Sequence, residues 1–352
     1  RFPAGTNDSN QSWVELQALD QNGDPLLISG KMSGGGFVDT TAHFFNAVLV
    51  DNEGNPIDKR NIQDWVATIY ANTINPGTAR TVHYRFVVPP GQVISRLQAT
   101  LFYRKFKQHY NSWVFRENPP APDQPVTVMS RATRQAGELS THEKPLWERW
   151  NDYGIGLFLE TDTQGALTAF QRVAQLAPDN PEGPINMARV YLAEGRLDPA
   201  EDALAEAEMR QPGYLKTAYF RGDLNKSYGN YEEALSDFNR VYEEYPNDRL
   251  NLQNISRTYY LMGNYEEALV WIDRLLEINP EGVSGLYNRM LITGALNLTG
   301  EYEKTRDLYL YHREDEETET YTADYKSHNP FDNREAQPIH YHELHPVKIF
   351  NK

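Results

Sequence analysis

The side chains in this 352-residue sequence best suited to grip a metal or a haem iron are its nine histidines. Five of them, His312, His328, His340, His342 and His345, gather at the C-terminal end, and His340-Tyr341-His342-Glu343-Leu344-His345 is the densest run. Alternate side chains of an extended strand share a face. His340 and His342 are therefore expected to point the same way, with Glu343 or His345 available to complete a site for zinc, copper or nickel. The run is not H-E-x-x-H, so the metalloprotease motif is absent. The same imidazoles could instead serve as axial ligands to a haem on a neighbouring chain. Against both stands the commoner behaviour of such a segment, a packed or solvated tail. His43, beside Phe44-Phe45, reads first as a satisfied sheet histidine and second as a ligand, and His83 and His109 read as structural.

Other chemistries find no residues. Cysteine is absent, which excludes disulfides, thiolate zinc sites, a cysteine nucleophile and covalent haem c on this chain, since that haem needs C-x-x-C-H. No G-x-S-x-G, Ser/His/Asp order or paired-carboxylate motif stands out. Gly34-Gly35-Gly36 lacks the Lys-Ser/Thr and following helix of a phosphate cradle, and Glu314-Asp315-Glu316-Glu317 lacks the alternation of a calcium loop. The net charge of −15 resides wholly in residues 131–352, because acidic and basic side chains cancel over 1–130. Nucleic acid and anionic membranes reward clustered Lys and Arg, so neither is an expected partner, and no apolar run is long enough to span a bilayer.

The strongest signal concerns the scaffold. Ala166, Ala200, Ala234 and Ala268 are spaced 34 residues apart, and so are Pro178, Pro212, Pro246 and Pro280. Phe170, Leu204, Phe238 and Ile272 keep the same step, as do Val173, Ala207, Val241 and Leu275. Gly195, Gly229 and Gly263 precede their alanines by five residues. This is the period and pattern of tetratricopeptide helical hairpins, predicted over 147–311. The small residue allows two helices to cross, the large ones fill the groove toward the next hairpin, and proline ends the second helix. Thr161 replaces the turn glycine of the first repeat, and the fifth is expected to turn at Gly300 after about three extra residues. First helices of such arrays line a concave groove. By register that groove should present Arg189, Leu192, Tyr219, Asp223, Lys226, Arg257 and Tyr260 to a protein partner or a second copy of the chain.

Residues 1–130 show short alternating runs, such as Trp13 to Leu19 and Ser95 to Tyr103, broken by Asn-Gly-type turns. They predict an antiparallel β-sandwich. Residues 131–146 read as a linker and 312–352 as an acidic, His-rich tail. Arg1 is preceded by no initiator Met or signal-peptide pattern, which reads as a processed or truncated start.

Arg1-Phe2-Pro3-Ala4-Gly5-Thr6-Asn7-Asp8-Ser9-Asn10-Gln11, Val38-Asp39-Thr40-Thr41-Ala42-His43-Phe44, Asn75-Pro76-Gly77 and Leu101-Phe102-Tyr103-Arg104-Lys105-Phe106 precede the repeats in this order. Together with them they resemble the C-terminal, non-haem portion of multihaem c-type cytochromes that end in tetratricopeptide repeats. The resemblance implies a periplasmic or extracellular location and an electron-transfer system, with haem c on a preceding part or on a partner chain. The sequence thus reads as a protein-interaction scaffold and not as an enzyme by itself. A haem-contacting oxidoreductase subunit and a structural subunit of an extracellular assembly are the alternatives.

Overall fold

The computed structural model describes residues 2–3, 9–136, 144–313 and 317–347. Residues 1 and 4–8 of the opening segment, 137–143 of the expected linker and 314–316 of the acidic run lie outside it. The chain begins with strands β1 (Gln11–Leu19), β2 (Pro25–Ser29), β3 (His43–Phe45), β4 (Ala47–Val50), β5 (Ala67–Ala71), β6 (His83–Arg85) and β7 (Arg96–Arg104), then helix α1 (Gln108–Val114) and β8 (Thr127–Gln135). Helices α2 (Leu146–Leu159), α3 (Thr163–Leu176), α4 (Glu182–Ala193), α5 (Leu197–Arg210), α6 (Leu215–Tyr228), α7 (Tyr231–Glu244), α8 (Arg249–Leu261), α9 (Tyr265–Ile278), α10 (Val283–Ala295) and α11 (Thr299–His312) follow. After them come α12 (Glu317–His328), α13 (Pro330–Glu335), β9 (Tyr341–Glu343) and β10 (His345–Pro346). Two compact units result: Arg1–Glu143 with Ile155–Thr161 and Asp315–Lys352, and Lys144–Gly154 with Asp162–Glu314.

In the first unit a sheet runs in the order β10-β2-β1-β7-β8, with β3 also paired to β1, while β4-β5 and β6-β9 form separate two-stranded ladders. What is established of the expected sandwich is an N-terminal, mainly antiparallel strand region. The turns after β1 and after β4 share one construction. Asp20 Oδ1 accepts from the amides of Asn22 and Asp24, and Asp51 Oδ1 from those of Glu53 and Asn55. Gly23 and Gly54 then supply the left-handed residue. Trp13 is buried, stacks on Phe102 and donates its indole N–H to the Gly30 carbonyl at 3.1 Å. The segment read as a tail is built into this unit: β9 pairs in parallel with β6, and β10 pairs with β2.

In the second unit the 34-residue register holds through every hairpin. Gly154, Ala188, Gly222 and Ser256 on the first helices stand opposite Phe170, Leu204, Phe238 and Ile272 on the second helices. The need for small residues is geometric: a Cβ on Gly154 would lie 2.5 Å from the Phe170 ring, and one on Gly222 would lie 2.7 Å from that of Phe238. The turn position recurs at Thr161, Gly195, Gly229, Gly263 and Asn297, all with positive φ. The fifth hairpin therefore turns in register at Asn297, and the expected insertion before Gly300 does not occur. Asparagine tolerates the left-handed conformation, so no glycine was required there. The fifth second helix, α11, departs in another way, with Tyr302 and Arg306 where α9 carries Ala268 and Ile272. The Arg289 guanidinium instead reaches Asp273 at 2.7 Å and Glu301 at 3.0 Å, a polar closure suited to the last repeat.

Candidate functional site

Two constellations emerge, one in each unit. The first lies along the first helices, where the successive pairs α4–α6, α6–α8 and α8–α10 approach more closely than successive second helices do. That places their shared face on the inner side of the array. Helical spacing carries a row of side chains along it. Arg189 bonds Asn186 at 2.8 Å and lies over the Phe220 ring at 5.6 Å. Lys226 links Asp223 at 2.6 Å to the Asn254 side chain at 2.7 Å, and Asn254 donates to the Tyr219 hydroxyl at 3.1 Å. Arg257 covers the ring of Tyr260 at 5.0 Å, and Tyr260 meets Tyr265 at 5.3 Å. Burial, followed by the nearby Asp223, pushes the Tyr219 hydroxyl up to about 12, while burial lowers the Arg189 guanidinium.

All the residues assigned to the groove from the sequence lie on first helices, and they do not play equal parts. Leu192 is packed into the core between α4, α5 and α6, which leaves it little to offer a partner. Tyr219, Asp223 and Lys226 are tied into one network that crosses from α6 to α8 through Asn254, a residue that the repeat pattern did not single out. Arg257 has no carboxylate partner among the described residues; it covers the ring of Tyr260, which is half-buried and packs against the core formed by Leu252, Ala268 and Ile272.

The second constellation is made of histidines. β3 supplies His43, and the turn into β9 supplies His340 and then His342. α13 supplies Glu335 from its last residue. Pro330 at the start of α13 fixes its first turn, and Asp332 is pinned by the hydroxyls of Tyr70 at 3.3 Å and Tyr325 at 2.7 Å. Glu335, one turn further on, is thereby turned inward. His43 Nδ1 lies 3.2 Å from His342 Nε2 and 3.7 Å from the Glu335 carboxylate. His340 Nε2 lies 3.4 Å from that carboxylate and His342 Nε2 lies 3.9 Å from it. Burial drives the His43 imidazole well below its ordinary pKa and lowers that of His342 to about 4. At His340 burial acts in the same sense, but hydrogen bonds to Glu335 and to the Gln337 carbonyl outweigh it and raise the pKa. Burial likewise tends to raise Glu335, and its histidine and Arg334 neighbours bring it below the usual value.

His340 and His342 thus do face one way, as strand alternation predicts, but neither expected companion joins them. Glu343 falls on the opposite face of β9 and pairs with exposed Arg85 at 2.8 Å. His345 belongs to β10, opposite Ile28 of β2. The companions are His43, from the far end of the sequence, and Glu335, which no motif marked. An axial ligand for a haem on another chain must present an imidazole edge outward; His43 and His342 are buried, and His340 and His345 are half-buried. His83 bonds Glu160 at 2.8 Å, and His109 lies edge-on to Phe37 at 5.0 Å, both in structural roles.

Comparison with known proteins bears on the helical part. A tetratricopeptide repeat family model matches residues 157–219 and 227–288. A human protein described as FK506-binding protein-like is 29% identical over 133 residues, and the match spans only 38% of that protein and 35% of this chain. Among solved structures, MamA is 19% identical, with 46% of this chain and 94% of that chain covered at a TM-score of 0.40. The pilF protein of Pseudomonas aeruginosa is 15% identical, covering 54% and 96% at a TM-score of 0.44. PilW, a type IV pilus biogenesis factor, is 13% identical, covering 53% and 92% at a TM-score of 0.47. Tetratricopeptide repeats are present in this chain, and a protein-interaction scaffold is the role such repeats support. No helix among the described residues is long and apolar enough to cross a membrane.

Proposed function

We propose that this chain is a docking scaffold whose first-helix face, from Arg189 through Lys226 to Tyr260, holds a segment of a protein partner or of a second copy of itself. The observation that carries the reading is the polar and aromatic row along α4, α6 and α8, with Arg257 and Tyr260 uncommitted to any acidic group among the described residues. Arg and Tyr anchors commonly contribute most of the energy of such interfaces. A double variant, Arg257→Glu with Tyr260→Ala, should lose about tenfold or more in affinity for a protein captured by the wild-type chain from extracts of its source. Val270→Glu, on the outer face of α9 where Val270 is exposed, should keep it. Equal retention by all three chains would remove the groove from the account.

Within this reading the chain serves an exported multihaem cytochrome system. The support is the resemblance of its N-terminal third and repeats to the non-haem end of such cytochromes. Haem, on this view, belongs to the partner or to a preceding part, since this chain has no cysteine to attach it. The captured protein should then show a Soret band, and a haem-free partner would detach the cytochrome context from the docking role.

A further inference from the structure

We propose that His43, Glu335, His340 and His342 form a closed four-ligand site for a divalent transition-metal ion, and that zinc suits it best. One ligand atom from each residue can be chosen so that all four lie within 4.8 Å of one another. Tetrahedral zinc, with bonds of about 2.0–2.1 Å to nitrogen and oxygen, places its ligand atoms about 3.3 Å apart. Among the six separations of the four ligand atoms, 3.2 Å between His43 and His342, 3.4 Å between His340 and the Glu335 oxygen and 3.7 Å between His43 and that oxygen are near this value, and the remaining ones, up to 4.8 Å, must contract on binding.

The outer contacts orient the rings for the same purpose. His342 Nδ1 lies 3.0 Å from the Thr41 carbonyl and His340 Nδ1 lies 2.9 Å from that of Gln337. Each carbonyl can only accept, so each Nδ1 carries the hydrogen; His342 Nε2 then directs a lone pair toward the centre, and His340 Nε2 would do so once an ion displaces the proton it offers to Glu335. Arg334 holds one Glu335 oxygen at 3.1 Å, and the other faces His43 and His340. Without an ion, the Glu335 oxygen that faces the rings accepts from Asn72 at 3.4 Å and lies beside His340, and His43 Nδ1 and His342 Nε2 share one hydrogen at 3.2 Å. A divalent ion would take the place of the protons held between these groups.

Three imidazoles and one carboxylate suit zinc, nickel or copper and not the oxygen-seeking calcium or magnesium. With every position supplied by the protein and buried, the site is of the structural kind, without an open position for substrate. The positive charges of Arg80 and Arg334 oppose the ion and moderate its affinity. His340, the least buried of the four, marks the entry side. A bound ion would fasten the C-terminal segment to β3, joining residues 299 apart in sequence inside the first unit. The inference goes beyond the docking role and does not depend on it.

The full chain, stripped with EDTA and titrated with Zn²⁺ by calorimetry, should take up one ion in a saturable step. His342→Ala and Glu335→Gln should weaken that step by more than about 100-fold, beyond what loss of an outer-shell contact does. His345→Ala should leave it unchanged. Glu335→Gln keeps size and hydrogen-bonding capacity, so it reports on ligation even if the histidine variant folds poorly. Co²⁺ should give the intense visible bands of four-coordinate geometry. Absence of saturable uptake, or uptake that survives Glu335→Gln, or an equal loss with His345→Ala, would overturn the site.

Discussion

Phe238→Ala should destabilise the helical array by about 3–5 kcal/mol, the range for removing a fully buried aromatic ring. Phe238 is 0% exposed, and its ring fills the space left by the missing Cβ of Gly222. Ala234, Leu235 and Ile255 surround it, and Gly222 has no side chain to move into the space, so the cavity has little means of collapse on that side. The loss should reach the groove as well, because Tyr219 lies 6.0 Å and the Lys226 ammonium 5.8 Å from this ring. Denaturant unfolding followed by far-ultraviolet circular dichroism checks the figure, with exposed Val270→Ala expected within about 0.5 kcal/mol of wild type. A loss below about 1 kcal/mol for Phe238→Ala would mean that the hairpins are not held by this interlock.

Acid should unfold the first unit of the metal-free chain. His342 is lowered from 6.5 to about 4 by burial, with Glu335 acting against the shift and His340 and Arg334 adding to it. A histidine kept neutral in the fold takes up protons more readily when unfolded. Its contribution is therefore complete above pH 6.5 and disappears as pH falls through the folded value. For His342 that amounts to about 3 kcal/mol. His43, lowered by burial and by His342, Arg80, His340 and Arg334, acts in the same direction. So does Glu335, whose lowered pKa gives stability that is lost at still lower pH. His340, which is raised, has the opposite sign: its contribution is full below 6.5 and fades as pH rises through its folded value. Unfolding curves of EDTA-treated protein from pH 7 to pH 4 should show the fall, and His342→Gln should flatten it. A stability that stays level across that window would show that these rings are not held neutral.

The helical half was legible because its constraints are local and periodic. A 34-residue step fixes where Ala200 must be small and Leu204 large, and each such choice is visible within one hairpin. The misjudged turn shows the limit of that reasoning. Gly300 attracted the assignment, but the position requires only a left-handed residue, and Asn297 supplies it at the regular step. The strands were legible from alternation; their partners were not. Pairing of β6 with β9 joins Arg85 to Glu343, 258 residues on, and no periodicity encodes so distant a contact. The histidine cluster depends on that closure. His340 and His342 could be seen as a pair, but β3 was needed to place His43, and the end of a six-residue helix to place Glu335.

The docking role is most directly tested by site-specific photo-crosslinking in extracts of the source, with the photoreactive phenylalanine analogue benzoylphenylalanine at Tyr260 in one sample and at Val270 in another. The groove reading predicts a discrete protein adduct, or a dimer of the chain, from Tyr260 and none from Val270. Adducts from Val270 alone would place the partner on the outer helices and contradict it.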